Sequence, residues 1–387
     1  MRIVHIADLH LGKSLFDYSL IGDQRAWLAS LVALLRAQKA DALVIAGDVY
    51  HRSVPPTEAV TLLDDFLSEV TQDLHIPVLM IAGNHDSAQR LSFGSRLIEQ
   101  GGLYVSGSLE HTLKTVTLHD EHGPVHFTLL PYFEPYQAKK LFEDSEIKTC
   151  NDAFRAIVNT CLEGVDYSKR NVLIAHGFFG RDSALARFSD SERNVGGSDL
   201  VDSTLVEQFD YVALGHLHAP QTAGAGHIRY AGSPLKYSLS EVSQEKSVTI
   251  IDLGQKGDVR IRCEHLPPKR DLRIVTGTIS ELTDKAVQSR YNLDDYVYAV
   301  ITDKSEVYNA IDKLRAVFPN IVGLKREIDN VGEGFSFAAG EQIARQTPDE
   351  LFASFYQEML GEEITPVRAQ IMHEVLIEAQ KEEHDAY

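Results

Sequence analysis

Residues 1–10 read MRIVHIADLH, residues 42–48 read ALVIAGD and residues 78–86 read VLMIAGNHD. In all three a short, nearly unbroken apolar run gives way at once to acid, amide or imidazole side chains. Such runs suit strands buried on both faces of a sheet, whose polar residues are confined to the strand ends. Between them, residues 24–39 and 57–70 carry apolar residues at helical spacing, so strand and helix alternate and the pattern predicts βαβ units with helices on the faces of a sheet. Working outward, further strands are expected at 125–130, 172–175, 211–214 and 248–253, and Leu266-Pro267-Pro268 punctuates the chain. Beyond it, residues 271–326 read as a smaller α/β unit, with strands at 272–277, 296–301 and 321–325 and a helix over 305–317. Residues 332–340 form a glycine-containing link. The remainder reads as two helices separated near Gly361, the first carrying Leu351, Phe352, Phe355, Tyr356 and Met359, the second Val367, Ile371 and Val375.

Composition narrows the classes. The chain has 387 residues, 44% apolar and 24% charged, the mix of an ordinary globular protein with room for more than one core. No apolar stretch approaches the twenty residues of a membrane span. Asp8 and His10 stand where a secretory signal would need its apolar stretch, so a cytoplasmic protein is expected. The three cysteines, Cys150, Cys161 and Cys263, lack a CxxC pair and read as free thiols in packing roles. The net charge of −19 opposes nucleic-acid binding by bulk electrostatics alone. From residue 332 onward, however, twelve acids stand against three bases, so nearly half the excess lies in the tail.

Five blocks carry the chemistry: Asp8-Leu9-His10, Gly47-Asp48, Gly83-Asn84-His85-Asp86, His176-Gly177 and Gly215-His216-Leu217-His218. Each follows an expected strand, and in an open α/β sheet ligands bind outside the carboxyl ends of strands, so the five ends can converge on one cleft. The i, i+2 spacing in Asp8/His10 and His216/His218 would point both side chains the same way in extended backbone. Glycines 47, 83, 177 and 215 allow sharp turns or close approach beside them. Any one histidine after a strand is more often a satisfied polar residue than a ligand, but five blocks agreeing in type and position are not an accident. Imidazole, carboxylate and amide oxygen without thiolate suit Mn, Fe or Zn better than a structural zinc site. Asp86 is the nearest carboxylate to orient a ligand imidazole, or else caps the helix after it.

With its D-x-H, G-D, G-N-H-D, H and G-H-x-H blocks in order, the chain resembles the calcineurin-like metallophosphoesterases. The stretches GDVYHRSVPP (47–56), AGNHDS (82–87), YVALGHLH (211–218) and YAGSPLKYSLSE (230–241) extend the resemblance to the SbcD family, the nuclease subunits of SbcCD complexes and relatives of the meiotic recombination nuclease. The resemblance implies an α/β sandwich of two mixed sheets flanked by helices (1–266), a small α/β capping domain (267–331), a linker (332–347) and a helical partner-binding tail (348–387). It implies two divalent metal ions, most often Mn, one held by Asp8, His10, Asp48 and His218 and the other by Asp48, Asn84, His176 and His216, with Asp48 bridging. His85 matches the family position that stabilises the transition state or protonates the leaving oxygen. His51 matches a position that is histidine in some members and aspartate in many bacterial ones.

The implied activity is phosphodiester hydrolysis by a metal-activated water: 3′ to 5′ exonuclease action on duplex ends and endonuclease action on single-stranded or hairpin DNA, in DNA end processing, repair and recombination. Further implied partners are DNA, an SbcC-type coiled-coil ATPase gripped by the tail helices, and a second copy meeting this one through helices near 57–70 and 88–100. Val60, Leu63 and Leu67 could form that face or an ordinary core. Candidate DNA contacts are Lys13, Arg52, Arg90 and Arg181, with Arg187 and Arg193 beside them, and the Phe178-Phe179 loop is expected to pack rather than stack on a base. Because a dinuclear centre fixes the bond cut and not its owner, two alternatives stay open: a phosphodiesterase or phosphatase for small substrates, and a non-catalytic scaffold.

Overall fold

The structure, a computed structural model, describes residues 1–181, 189–190, 199–303, 305 and 307–327, together with 352, 356–357, 364–365 and 367–372. Two compact units divide the chain, Met1–Glu327 and Ile328–Tyr387.

In the first unit two six-stranded sheets are built around parallel strands. One runs in the order Val259–Glu264, Val248–Leu253, Arg2–Ile6, Ala42–Ala46, Val78–Ile81, Leu103–Ser106, with its last four strands mutually parallel and its first two antiparallel. The other runs Gln221–Thr222, Ile228–Tyr230, Tyr211–Gly215, Arg170–His176, Gly123–Leu130, Lys114–Asp120; its four central strands are parallel and its two outer ones antiparallel. Ile3, Val44, Leu79, Val172, Ile174 and Tyr211 interleave between the sheets. The outer face of the first sheet packs on the helices Ile21–Gln38 and Thr57–Ser68 through Trp27, Leu31, Leu63 and Phe66. The outer face of the second packs on the helix Cys150–Cys161 through Phe154 and Ile157. Strands covered on both faces must be apolar throughout, which is why they read as unbroken runs.

A third, parallel sheet orders Leu272–Gly277, Tyr296–Ile301 and Ile321–Arg326 around Val275, Val297, Leu314 and Phe318. Tyr296 reaches back to the first core, where its hydroxyl donates to the buried Asp23 carboxylate at 2.8 Å and Arg270 meets the same oxygen at 3.0 Å. The helix expected over 305–317 is only Ala310–Arg315, because Asn309 takes a φ of 52° and breaks the run. The half-polar edge strand Lys114–Asp120 escapes the apolar-run criterion, and Ala88–Leu91 and Ser95–Ile98 are single turns rather than one helix.

The cysteines are free but do not pack as expected: Cys150 and Cys161 are half-buried and Cys263 is exposed. Leu63 and Leu67 belong to the core while Val60 is 44% exposed. In the second unit, residues 352, 356–357 and 367–372 are helical, and Val367 and Ile371 are exposed. The expected linker and most of the tail, with Arg187 and Arg193, lie outside the described residues. Among the described residues no helix is long and apolar enough to cross a membrane.

Candidate metal centre

Three neighbouring parallel strands of the first sheet, Arg2–Ile6, Ala42–Ala46 and Val78–Ile81, and two of the second, Arg170–His176 and Tyr211–Gly215, end at one edge of the sandwich. All five sequence blocks therefore open into a single cleft. Convergence does not come from extended i, i+2 spacing, however. Asp8, His10, Asp48 and His216 have φ values of 54°, 43°, 49° and 113°, and no extended strand runs through Asp8–His10 or His216–His218. Non-glycine residues held there cost about 1–3 kcal/mol each and cluster at functional sites. The glycines supply room: a Cβ on Gly47 would run into the His176 ring, and one on Gly83 into the Asp48 carboxylate.

Asp48 lies at the middle. Its Oδ1 accepts from the His85 amide at 2.9 Å, while Oδ2 stands 3.6 Å from His10 Nε2 and 3.6 Å from His176 Nε2. On one side His10 Nε2 and His218 Nε2 are 3.1 Å apart, and one ligand atom from each of Asp8, His10 and His218 falls within 4.8 Å of the others. On the other side Asn84 Oδ1 is 3.0 Å from His176 Nε2 and 3.2 Å from His216 Nδ1. Asp8, Asp48 and His176 form a second group by the same distance measure.

Hydrogen bonds at the back of the rings decide what faces the cleft. His176 Nδ1 is 2.8 Å from the Ala46 carbonyl, which only accepts, so Nδ1 carries the proton and Nε2 presents a lone pair. His218 Nδ1 is 3.0 Å from Glu241 Oε1, with the same consequence. The bare Nε2 atoms of His176 and His218 thus face carboxylate and amide oxygens and a further imidazole across the cleft. Buried His10 Nδ1 has no hydrogen-bond partner among the described residues. A divalent cation would satisfy these acceptors together, and an N,O donor set of this kind fits Mn, Fe or Zn.

Burial keeps the imidazoles neutral. It pushes His10 well below its ordinary value, helped by His218 and His85, and His216 down to about 3, helped by His176. His176 and His218 are lowered by burial against the pull of Asp48 and Glu241 respectively. A lowered pKa moves proton competition to lower pH, so the ligands stay available where a free imidazole, at pH 5.5, is about nine-tenths protonated. Mn affinity measured by equilibrium dialysis is accordingly expected to fall by less than about tenfold between pH 7.5 and pH 5.5. A fall of about two orders of magnitude per ion, about tenfold for each of its two imidazoles, would show ordinary imidazoles instead.

His85 and His51 flank the cleft. The His85 ring sits edge-on to His10 at 4.8 Å and nearly parallel to His51 at 5.7 Å, and its Nδ1 meets the His51 carbonyl at 3.0 Å. His51 is pushed down to about 4 by burial, with Lys13 and His85 adding to it. Asp86 neither orients an imidazole nor caps a helix. Its carboxylate accepts from the amides of Val49, Tyr50 and Gly83 at 3.0, 2.8 and 2.9 Å, tying the Asp48 loop to the Asn84 loop. Of the four basic candidates, Arg52 and Arg90 are exposed, whereas Arg181 pairs with Glu207 and Lys13 is only 8% exposed, its ammonium 5.4 Å over the Tyr237 ring. Phe178 and Phe179 are buried in the second core, as expected.

The residue the sequence did not single out is Glu241, fully buried behind His218. Burial opposes its charge, yet His218 and Lys246 together hold its carboxyl well below the usual range. Its one signal lay in YAGSPLKYSLSE, whose glutamate ends an otherwise weakly charged stretch.

Comparison with known proteins agrees with this geometry. Residues 1–220 match the family described as calcineurin-like phosphoesterase, and residues 268–359 that described as type 5 capsule protein repressor C-terminal domain. The chain is 32% identical over 371 residues to the protein of Staphylococcus epidermidis named as the SbcD component of the nuclease SbcCD, covering 95% of this chain and 96% of that one. Its counterpart of the same name in Staphylococcus saprophyticus is 28% identical over 378 residues, covering 97% and 98%.

Proposed function

Since the chain belongs to the SbcD family of calcineurin-like metallophosphoesterases and is a metal-dependent hydrolase, we propose that it is a Mn-dependent DNA nuclease, acting 3′ to 5′ on duplex ends and endonucleolytically on single strands and hairpins. The observation that carries this reading is the near full-length similarity to two proteins named as nuclease components, joined to a cleft that keeps every ligand type the chemistry needs.

In this reading Asp8, His10, Asp48 and His218 hold one ion and Asp48, Asn84, His176 and His216 the other. When bound, a divalent pair supplies Lewis acidity toward a phosphodiester and acidifies water at neutral pH. The chain's own residues set the stage. Asp48, whose Oδ2 lies 3.6 Å from His10 of one set and 3.6 Å from His176 of the other, would bridge the two ions. The His51 carbonyl occupies His85 Nδ1 and so leaves Nε2 as the nitrogen able to serve the leaving oxygen. His51 itself, neutral beside it, fixes the ring by near-parallel stacking. Arg52 and Arg90, exposed and close in sequence to His51 and His85, are the basic residues assigned to DNA phosphates in this reading.

Partners follow from the surface. Phe93 and Leu97 are 87% and 85% exposed just after the Asn84 loop and Val60 is 44% exposed, and these apolar side chains would meet a second copy. Exposed Val367 and Ile371 on one helical turn suit a groove on an SbcC-type coiled-coil ATPase, which would also supply positive surface and a nucleotide site. Acting on chromosomal DNA ends in repair and recombination, the protein would work in the cytoplasm.

The test is hydrolysis of an end-labelled linear duplex with Mn, alongside p-nitrophenyl phosphodiesters, for the parent and His85→Ala. Laddered DNA loss in the parent, about 10²–10⁴-fold slower in the variant at equal metal content, is expected for a lost proton donor. Turnover of small diesters with DNA left intact, even with the ATPase partner added, would refute the nuclease reading. Equal rates in parent and variant would refute the role of His85.

A further inference from the structure

Two of the ligand histidines are held from behind by different chemistry. His176 leans on a neutral main-chain carbonyl, at 2.8 Å, whereas His218 leans on a carboxylate buried without exposure to water. Around that carboxylate the chain has built a closed polar cell. Glu241 Oε1 meets His218 Nδ1 at 3.0 Å and accepts from the Ser189 hydroxyl at 2.7 Å. Oε2 accepts from Lys246 Nζ at 2.7 Å and from the Tyr237 amide at 3.1 Å. Lys246, 5% exposed, shares its three N–H groups between that carboxylate and the His218 carbonyl at 2.9 Å, Ser233 Oγ at 2.8 Å and Gln244 Oε1 at 2.7 Å. One residue thus fixes the His218 ring and the other its main chain.

A buried ion pair is a poor stabiliser, since an apolar pair of similar volume usually does as well or better. Its presence here, with bonds from both members converging on His218, calls for a reason other than stability. Histidines that bind metal commonly donate their second N–H to a carboxylate, which fixes the tautomer, orients the ring and makes the ligand nitrogen a stronger donor; losing that partner costs about 10–100-fold in metal affinity. A backbone carbonyl orients as well but strengthens less, because it carries no charge.

We propose that Glu241, held by Lys246, is a positioning residue for His218, and that it makes the half-site of Asp8, His10 and His218 the tighter of the two. The proposal rests on the dinuclear reading above and concerns how that centre fills. Glu241 touches neither substrate nor ion and acts only through His218. The same loop steadies the opposite wall: the Tyr237 hydroxyl donates to the Leu9 carbonyl, and Gln24 Nε2 reaches the His10 carbonyl at 2.8 Å and the Tyr237 hydroxyl at 3.3 Å, so residues 237–246 brace both strand ends of this half-site.

The experiment titrates the chelator-stripped full chain with Mn, following heat and free Mn by electron paramagnetic resonance, for the parent, Glu241→Gln and the double variant Glu241→Gln/Lys246→Met. The double variant removes both charges together and so leaves no orphaned ammonium if the single variant fails to fold. We expect two ions in the parent, and in each folded variant one ion weakened by about 10–100-fold with the other unchanged. Parent-like affinity for both ions in a folded variant overturns the proposal while leaving the dinuclear reading intact. A parent that binds no Mn removes both. Independently of any variant, ¹⁵N shifts of the metal-free parent should report His218 as the Nδ1–H tautomer, and an Nε2–H tautomer would overturn the proposal.

Discussion

Asp48→Asn should lower Mn-dependent phosphodiester hydrolysis by about 10³-fold or more, equivalent to about 4 kcal/mol of lost transition-state stabilisation. The substitution is nearly isosteric and keeps an oxygen to accept the His85 amide, now at 2.9 Å, so the Asn84 loop has no reason to move. What disappears is the charge that faces His10 Nε2 and His176 Nε2 at 3.6 Å each. Removing it weakens both half-sites at once, and Mn titration should show loss of both ions rather than one. That distinguishes this variant from Glu241→Gln, which should loosen a single ion. In the metal-free state the sign reverses for stability. A buried carboxylate among neutral imidazoles is an uncompensated charge, so metal-free Asp48→Asn should melt no lower than the metal-free parent. Full activity with two bound ions in Asp48→Asn would show that Asp48 does not bridge.

How much of this was legible in the sequence depends on which interaction set each residue. The strand ends were legible because burial on both faces forces unbroken apolar runs, and the chemistry begins where those runs stop. The seven expected ligands therefore meet. Extended i, i+2 spacing does not bring them together, because Asp8 and His10 aim inward through left-handed turns, which no local spacing announces. Asp86 was misread because nearness in sequence to His85 says nothing of its actual partners, which are amides at Val49 and Tyr50 on another strand end. Glu241 goes unnoticed, and Lys13 reads as an exposed DNA contact, for a related reason. A buried charge looks like any surface charge until its partners are in place, and Glu241 stands 23 residues from His218. Short elements failed where a single backbone angle decides them, as at Asn309.

The last expected result concerns the strand that carries His176 rather than the cleft. Arg170 begins that strand, and its guanidinium, almost wholly buried, donates to both oxygens of Asp120 at 2.9 and 2.6 Å and to the carbonyls of Gly254 and Gly123 at 3.0 and 2.6 Å. It thereby ties the edge hairpin and the other sheet's last turn to the strand base. Replacing it with Met leaves two carbonyls and a carboxylate without their donor, and should cost about 3 kcal/mol in urea unfolding at pH 7. Asp120 retains the Met1 amino group at 2.7 Å, so its charge is not fully orphaned. The pH dependence carries a sign. Arg170 holds the Asp120 carboxyl well below the usual carboxylate range, so the stability it confers is complete above the ordinary value near 4 and is lost as pH falls below that toward the lowered one. The gap between parent and Arg170→Met should therefore be flat from pH 8 to about pH 5 and narrow in stronger acid. A gap that stays constant into strong acid would mean that packing of the arginine stem, and not its pairing with Asp120, holds the strand in place.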